Sequence, residues 1–357
     1  MFSPKIRVLI IDDSAIARNT LSRILETDSE IEVVGTAPDA LIGFRKIAEC
    51  SPDVLTLDVE MPKMDGLTFL ERLMSTRPMP VVMVSAYTSE GSETALKALD
   101  LGALEIIEKP RIDVSSGLKE LALQITDKVK AAAQAKLKSP QQRFQRQHRR
   151  SYRSHLAHPE LKKISHSPSI IAIGASTGGT DGLREILAEL PTDLPGILIV
   201  QHMPKAFTPS FAKSLDRVSQ IDVKEAISGD RVKGGLAMLA PGDQHLTLKR
   251  DLHGYFVELT DEPLVNRHRP SVDILFESIS KCAGGDALGI LLTGMGSDGA
   301  KGLLGMKQKG AWTIAQEENT CVVYGMPRVA VELGATREIL TPSEIITRLQ
   351  LLSPKDG

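Results

Sequence analysis

Cysteine is scarce in this chain: there are three, Cys50, Cys282 and Cys321, far apart and without a CxxC pair. An odd, dispersed set of this kind argues against a disulfide framework or a thiolate zinc site and leaves ordinary thiols. Excess charge of one sign is missing as well. With 43 Lys and Arg against 45 Asp and Glu the formal net charge is −2, so no global field draws the chain to nucleic acid or to an anionic membrane. No apolar run approaches the length of a membrane span, and the N-terminal MFSPKIRVLIIDD lacks a signal peptide's long apolar region and small-residue cleavage site. The expectation is a cytoplasmic protein with no membrane insertion and no specific nucleic-acid partner.

What the chain does have is length and alternation. Its 357 residues, 42% of them hydrophobic, suffice for two domains that each bury a core. From residue 5, short β-branched runs (IRVLII, IEVVGTA, DVLTLD, PVVMVS, EIIEKP) alternate with helical segments near 14–27, 38–50, 66–75, 92–101 and 117–134. That alternation predicts βαβ units and a five-stranded, flavodoxin-like α/β domain, placed at residues 1–125. Residues 136–168 then change character. KLKSPQQRFQRQHRRSYRSH is basic and nearly free of acids, Pro140, Pro159 and Pro168 interrupt any helix, and the segment holds His148, His155, His158 and His166. A flexible linker is expected over 126–167, solvated for the most part; docking to an acidic partner segment and weak nucleic-acid contact are the sharper alternatives for its basic stretch. From SIIAIGAS onward strands and helices alternate again, which predicts a second doubly wound α/β domain over 168–353. A hairpin is expected in HLTLKRDLHGYFVELT, where a DLHG turn separates two alternating runs.

In an open parallel sheet, ligands bind at the carboxyl ends of strands, so the residues after each apolar run carry the information. In the first domain those positions hold Asp12, Asp13, Asp58, Ser85 and Lys109. Each is unremarkable alone, since an aspartate at a strand end is commonly a helix cap. Together, three carboxylates call for a cation, and oxygen-only ligation suits Mg²⁺; a lysine and a hydroxyl beside them suit a phosphoryl group. Asp58 then reads as a carboxylate nucleophile that accepts phosphate. The segments DDS, LDVEMPKMDG, VSAYTS and EKP resemble the receiver domain of two-component response regulators over roughly residues 5–125. The resemblance implies Asp58 as phosphoacceptor, Asp13, Asp58 and the Glu60 carbonyl as direct Mg²⁺ ligands, Asp12 as a ligand through water, and Ser85 and Lys109 as phosphoryl-sensing residues. Receivers often carry an aromatic three residues before the lysine. Ile106 stands there, so a rotating-ring switch is in doubt unless Tyr87 substitutes.

The second domain opens on IGASTGGTDG, Ile173–Gly182, between an apolar run and a helical pattern. A strand-to-helix turn of this kind is where both a dinucleotide fingerprint and a nucleophile elbow belong. GASTGG lacks the G-x-G pair, and the next run ends in Gln201 and His202 rather than in an acid for a ribose. Gly174–Gly178 does match G-x-S-x-G, weak evidence by itself. A serine needs a base, and the base a carboxylate to hold its tautomer. His202 in VQHMP and Asp298 in LLTGMGSDGA stand past the ends of other candidate strands. The order Ser, His, Asp differs from the Ser, Asp or Glu, His order of α/β-hydrolases.

That order, with IGASTGG, VQHMP, GLAMLAPGDQHL, RHRPSVDILFES, LLTGMGSDGAKGL and QEENTCVVYGMPR, resembles the catalytic domain of the chemotaxis protein-glutamate methylesterases. The resemblance implies Ser176 as nucleophile, His202 as general base and then acid, Asp298 as its orienter, and backbone amides near Met295, with Thr177, as oxyanion donors. His245, His268 and Arg269 are expected to shape the cleft structurally. The substrate so implied is the glutamate γ-methyl ester of chemoreceptor cytoplasmic domains, with deamidation of receptor glutamines beside it. A chemotaxis histidine kinase is the implied phosphodonor, and the receiver the implied lid over the cleft. The competing expectation is a response regulator whose output domain binds a nucleotide or a partner without catalysis.

Overall fold

The computed structural model describes residues 4–86, 89–110, 118–136 and 168–352, which form two units. Most of the expected basic linker, its histidines and Tyr87 lie outside the described residues. Among the described residues no helix is long and apolar enough to cross a membrane.

The first unit is a five-stranded parallel sheet in the order β2-β1-β3-β4-β5. Its strands are β1 (Ile6–Ile11), β2 (Ile31–Ala37), β3 (Val54–Asp58), β4 (Val81–Ser85) and β5 (Glu105–Glu108). The helices are α1 (Ala15–Leu25), α2 (Ala40–Cys50), α3 (Gly66–Thr76), α4 (Ser89–Leu101) and α5 (Leu118–Ala133). β1, β3 and β4 are fully buried in their central residues, which is why they read as unbroken β-branched runs. Three helices start where an oxygen-bearing side chain satisfies an otherwise orphaned amide: Ser14 accepts from Ala17, Asp39 from Ile42 and Asp65 from Thr68. Helix α5 crosses the boundary expected at 125. Ile125, Val129 and Ala132 pack into the core with Val8, Ile10, Val82 and Ile107, so apolar burial holds the helix to the sheet through Ala133, and residues 126–133 belong to the first unit.

The second unit is a seven-stranded parallel sheet, order β14-β13-β12-β6-β7-β9-β8, plus an antiparallel hairpin, β10-β11. The strands are β6 (Ile170–Ala175), β7 (Gly196–Gln201), β8 (Asp222–Glu225), β9 (Leu236–Leu239), β10 (His245–Asp251), β11 (Gly254–Thr260), β12 (Ala287–Leu291), β13 (Trp312–Gln316) and β14 (Glu338–Leu340). The helices are α6 (Gly179–Leu187), α7 (Thr208–Asp216), α8 (Val272–Cys282), α9 (Ala300–Gln308), α10 (Met326–Glu332) and α11 (Pro342–Gln350). The hairpin closes at Asp251 and Gly254 across Leu252 and His253, the turn expected from the sequence. Topology decides where a site belongs. From the central β6 the chain first builds one side of the sheet, β7 to β9, and then returns to pair β12 on the other side. The crevice at the carboxyl end of β6 is therefore the topological switch point, where open α/β sheets bind ligands.

Candidate functional sites

In the first unit, Asp12 and Asp13 follow β1, Asp58 ends β3, Ser85 ends β4, and Lys109 follows β5. Parallel register brings these ends together. Carboxylate oxygens of Asp12, Asp13 and Asp58 lie within 4.8 Å of one another. Lys109 Nζ is 2.8 Å from Asp58 Oδ2 and 2.9 Å from Asp12 Oδ2, and the Lys109 amide donates to the Ser85 carbonyl at 2.8 Å. Asp58 is buried, and burial raises its pKa to about 6 against the lowering hydrogen bond from Lys109; the charge of Asp12 adds to the rise. A buried carboxylate held beside two others is short of positive charge, and the all-oxygen donor set suits Mg²⁺. The Asp58, Asp12 and Asp13 cluster therefore fits that ion. The Glu60 amide donates to Asp58 Oδ1 at 3.4 Å. Ile106 is buried in β5, where receivers often hold an aromatic ring.

In the second unit the switch point carries Ser176. It stands directly after β6, buried to 8% exposure. Its amide donates to the Thr293 carbonyl at 3.0 Å, and its carbonyl accepts from the Gly179 amide at 2.7 Å and from Gln201 Nε2 at 3.0 Å. Gly178 takes φ +75° to turn the chain from the strand into α6, a left-handed conformation that favours glycine. Ala175 pairs with Gln201, and the His202 amide donates to the Ala175 carbonyl at 3.1 Å, so Ser176 and His202 leave adjacent strands side by side. On the other flank, Gly294 lies so close to the serine that an added Cβ would come within 2.6 Å of Ser176 Cβ and 2.3 Å of Met326 Sδ.

Asp298 is almost fully buried and docks onto the N-terminus of α8. Oδ2 accepts from the Val272 amide at 2.6 Å, and Oδ1 accepts from Ser271 Oγ at 2.7 Å, Asn266 Nδ2 at 2.7 Å and the Asp273 amide at 3.3 Å. Unpaired amides and the positive end of a helix dipole favour a carboxylate in this position. Burial pushes Asp298 up, but the hydrogen bond and charge of His202, with Ser271 and Asn266, outweigh it and hold the carboxyl well below the usual carboxylate range. His202 Nε2 lies 2.9 Å from Asp298 Oδ2, while Nδ1 makes no hydrogen bond among the described residues. His268 stacks on His202 with centroids 3.7 Å apart and planes at 14°.

The structure thus joins His202 to Asp298, which lies in the loop after β12, and sets Ser176 at the end of the strand next to that of His202. Met295 is half-buried in the loop that ends at Asp298, and Thr177 lies under the turn, its carbonyl accepting from Thr293 Oγ1 at 3.0 Å. His245 is wholly buried between the Pro263 carbonyl at 3.1 Å and the Ser271 amide at 3.1 Å, and Arg269 pairs with Asp243 at 2.7 Å. Residues that the sequence did not single out complete the site. Thr293 Oγ1 also accepts from the Val323 amide at 3.0 Å, and its own amide donates to Gln316 Oε1 at 2.8 Å, which braces the serine turn on the loop after β13. Ser271 and Asn266 carry no pattern that marks them as partners of a distant aspartate.

The fold and the two sites define a class: a regulator with an acidic, lysine-bearing receiver in front and an α/β domain with a Ser–His–Asp cluster at its switch point behind. A receiver family model, "Response regulator receiver domain", matches residues 8–118, and "CheB methylesterase" matches residues 171–349. The chain is 49% identical to the protein-glutamate methylesterase/protein-glutamine glutaminase 1 of Geobacter metallireducens, over 98% of this chain and 96% of that protein. It is 49% identical to the protein-glutamate methylesterase/protein-glutamine glutaminase of Salmonella typhimurium, over 96% of this chain and 95% of that one. The crystal structure of the Thermotoga maritima CheB methylesterase catalytic domain matches at 39% identity and a TM-score of 0.51, covering 52% of this chain and all of that one. The chain belongs to the CheB methylesterase family, in its form with an N-terminal response regulator receiver domain.

Proposed function

We propose that this protein hydrolyses glutamate γ-methyl esters on the cytoplasmic domains of chemoreceptors, releasing methanol, and deamidates receptor glutamines at the same site. The observation that carries the reading is the 2.9 Å contact between His202 and a buried Asp298 beside Ser176 at the switch point. Full-chain similarity to proteins named for both activities supports it. In this reading Asp298 holds the His202 Nε2 proton, which leaves the Nδ1 lone pair as the base. Ser176 Oγ attacks the ester carbonyl as its proton passes to Nδ1. The tetrahedral oxyanion is met by backbone amides near Met295 and Thr177, and loss of one such donor costs on the order of 100- to 1,000-fold in rate. The imidazolium then protonates the departing methoxide, and water, deprotonated by the same nitrogen, cleaves the acyl-enzyme to a carboxylate. An amide substrate follows the same course with ammonia leaving.

Regulation belongs to the receiver. Asp58 accepts a phosphoryl group from a chemotaxis histidine kinase, Lys109 and Ser85 contact it, and the methylesterase is released from restraint. Mg²⁺, held by Asp12, Asp13, Asp58 and the Glu60 carbonyl, would supply charge neutralisation for that transfer. The setting is the cytoplasm, where the receptors' methylated helices lie. Methanol release from methylated receptor membranes, with wild type and Ser176→Ala, each with and without a small phosphodonor and Mg²⁺, tests both halves. Release that requires Ser176 and rises with phosphodonor is expected; full activity of Ser176→Ala would overturn the assignment.

A further inference from the structure

Between Leu264 and Pro270 the chain makes a two-residue hairpin whose place in the reaction is not evident from its sequence. Val265 and His268 exchange both backbone hydrogen bonds, at 3.1 and 2.9 Å, and the two residues between them, Asn266 and Arg267, stand at φ +51° and +68°. Positive φ at both central positions is the requirement of a type I′ turn, and asparagine is among the side chains that best tolerate it. The turn aims two groups at the same pair. Asn266 Nδ2 donates to Asp298 Oδ1 at 2.7 Å and to Asp273 Oδ2 at 2.8 Å, while His268 lies flat on the His202 ring at 3.7 Å.

An amide that donates to two carboxylates does more than close a turn. Asp298 has two oxygens, and His202 uses Oδ2; the donors on Oδ1, which are Asn266, Ser271 and the Asp273 amide, fix the carboxylate's rotation and so the direction in which Oδ2 points. Asp273 is itself tied to the next helix by the Gly302 amide at 2.7 Å, so Asn266 links Asp298 to a second fixed carboxylate. We propose that the Val265–His268 hairpin is a clamp on the acid–base pair, with Asn266 as the positioning residue for Asp298 and His268 as the packing partner that fixes the plane of the His202 imidazole. The inference rests on the reading of Ser176, His202 and Asp298 as the hydrolytic triad. A misplacement of about 1 Å in such a pair is enough to cost on the order of 100-fold in rate.

Three substitutions in the full chain separate clamp from turn. Asn266→Gly keeps the backbone conformation, since glycine adopts positive φ freely, but removes the donor. Asn266→Ala removes the donor and also strains the turn. Asn266→Asp keeps a turn-tolerant side chain but sets a third carboxylate beside Asp298 and Asp273. Methanol release from methylated receptor membranes is followed across pH, beside the wild type and Ser176→Ala. The expected result is a kcat loss on the order of 100-fold in Asn266→Gly with KM little changed. In Asn266→Asp the acidic limb of the profile moves to higher pH, because added negative charge near Asp298, Asp273, His268 and His245 favours the protonated imidazole. Wild-type kcat in Asn266→Gly would reduce the residue to a turn former and overturn the clamp, whatever the added charge does to the limb in Asn266→Asp. Activity that persists in Ser176→Ala would instead fail the underlying triad. For readout independent of turnover, the imidazole resonances of His202 are titrated by NMR in the same variants; they shift in Asn266→Gly, which adds no charge, if the clamp is real and stay fixed there if it is not.

Discussion

At the scale of single residues, two buried aspartates, Asp58 and Asp298, move in opposite directions. Asp58 is buried with too few donors and titrates near 6, while Asp298, equally buried, is held low by the donors around it. The pH consequences have opposite signs. A carboxyl whose folded pKa lies above its unfolded value contributes most at low pH, so the receiver should lose stability as pH rises from about 4 through about 6, by roughly 2–3 kcal/mol. Calorimetry of the full chain in EDTA at pH 5 and pH 8 would show this in the receiver transition, since bound Mg²⁺ would hold Asp58 ionised, and Asp58→Asn should flatten it while raising stability at pH 8. Asp298 works the other way: its stabilisation is complete above the ordinary carboxylate range and disappears only in strong acid. In Asp298→Asn an amide NH₂ must face groups that donate, whichever way it is turned. We expect kcat to fall on the order of 10,000-fold, with a stability loss of about 3–5 kcal/mol, seen together in steady-state kinetics and urea unfolding.

Elements explain what the sequence makes legible. Strands buried on both faces, such as VVMVS and IIAIGA, announce themselves as unbroken apolar runs, and the polar residues that end them are the candidate site. Strand β8, DVKE, has one apolar residue, and β14 has three residues in all, so neither edge strand carries a pattern. Helix α5 ends where the helical pattern near 117–134 puts it, but it carries the first unit past the boundary expected at 125, because its inward face continues through Val129 and Ala132. Ser176, His202 and Asp298 are legible because each follows a strand; Thr293 and Asn266 are not, because the partners that tie them to the site, Thr177 and Asp298, lie 116 and 32 residues away in sequence. The contact between loops gives its own test. Gly294→Ala sets a methyl group against Ser176 Cβ and Met326 Sδ, which must displace the serine or the start of α10. A kcat deficit on the order of 100-fold with the fold intact by circular dichroism is expected, and unchanged kcat would show that the serine tolerates the shift.

The whole molecule joins two sites that do different chemistry in separate units, and their independence can be measured before their coupling. Ser176→Ala should still take up phosphate from a small phosphodonor, because Asp12, Asp13, Asp58 and Lys109 all lie in the first unit. Asp58→Asn should hydrolyse ester at a rate that no longer responds to phosphodonor. Coupling is then the wild-type response alone. A phosphoryl group brings close to two negative charges to a cluster that already holds Asp12, Asp13 and Lys109, which is enough to bias a two-state equilibrium by a few kcal/mol. Each tenfold of activation requires about 1.4 kcal/mol of difference in how the two states bind the phosphorylated receiver. A wild-type rate that rises tenfold or more with phosphodonor, against a flat response in Asp58→Asn, would assign that difference to the receiver. Equal rates in both proteins, with Asp58 shown to be phosphorylated, would mean that the receiver serves localisation and leaves the chemistry of Ser176 untouched.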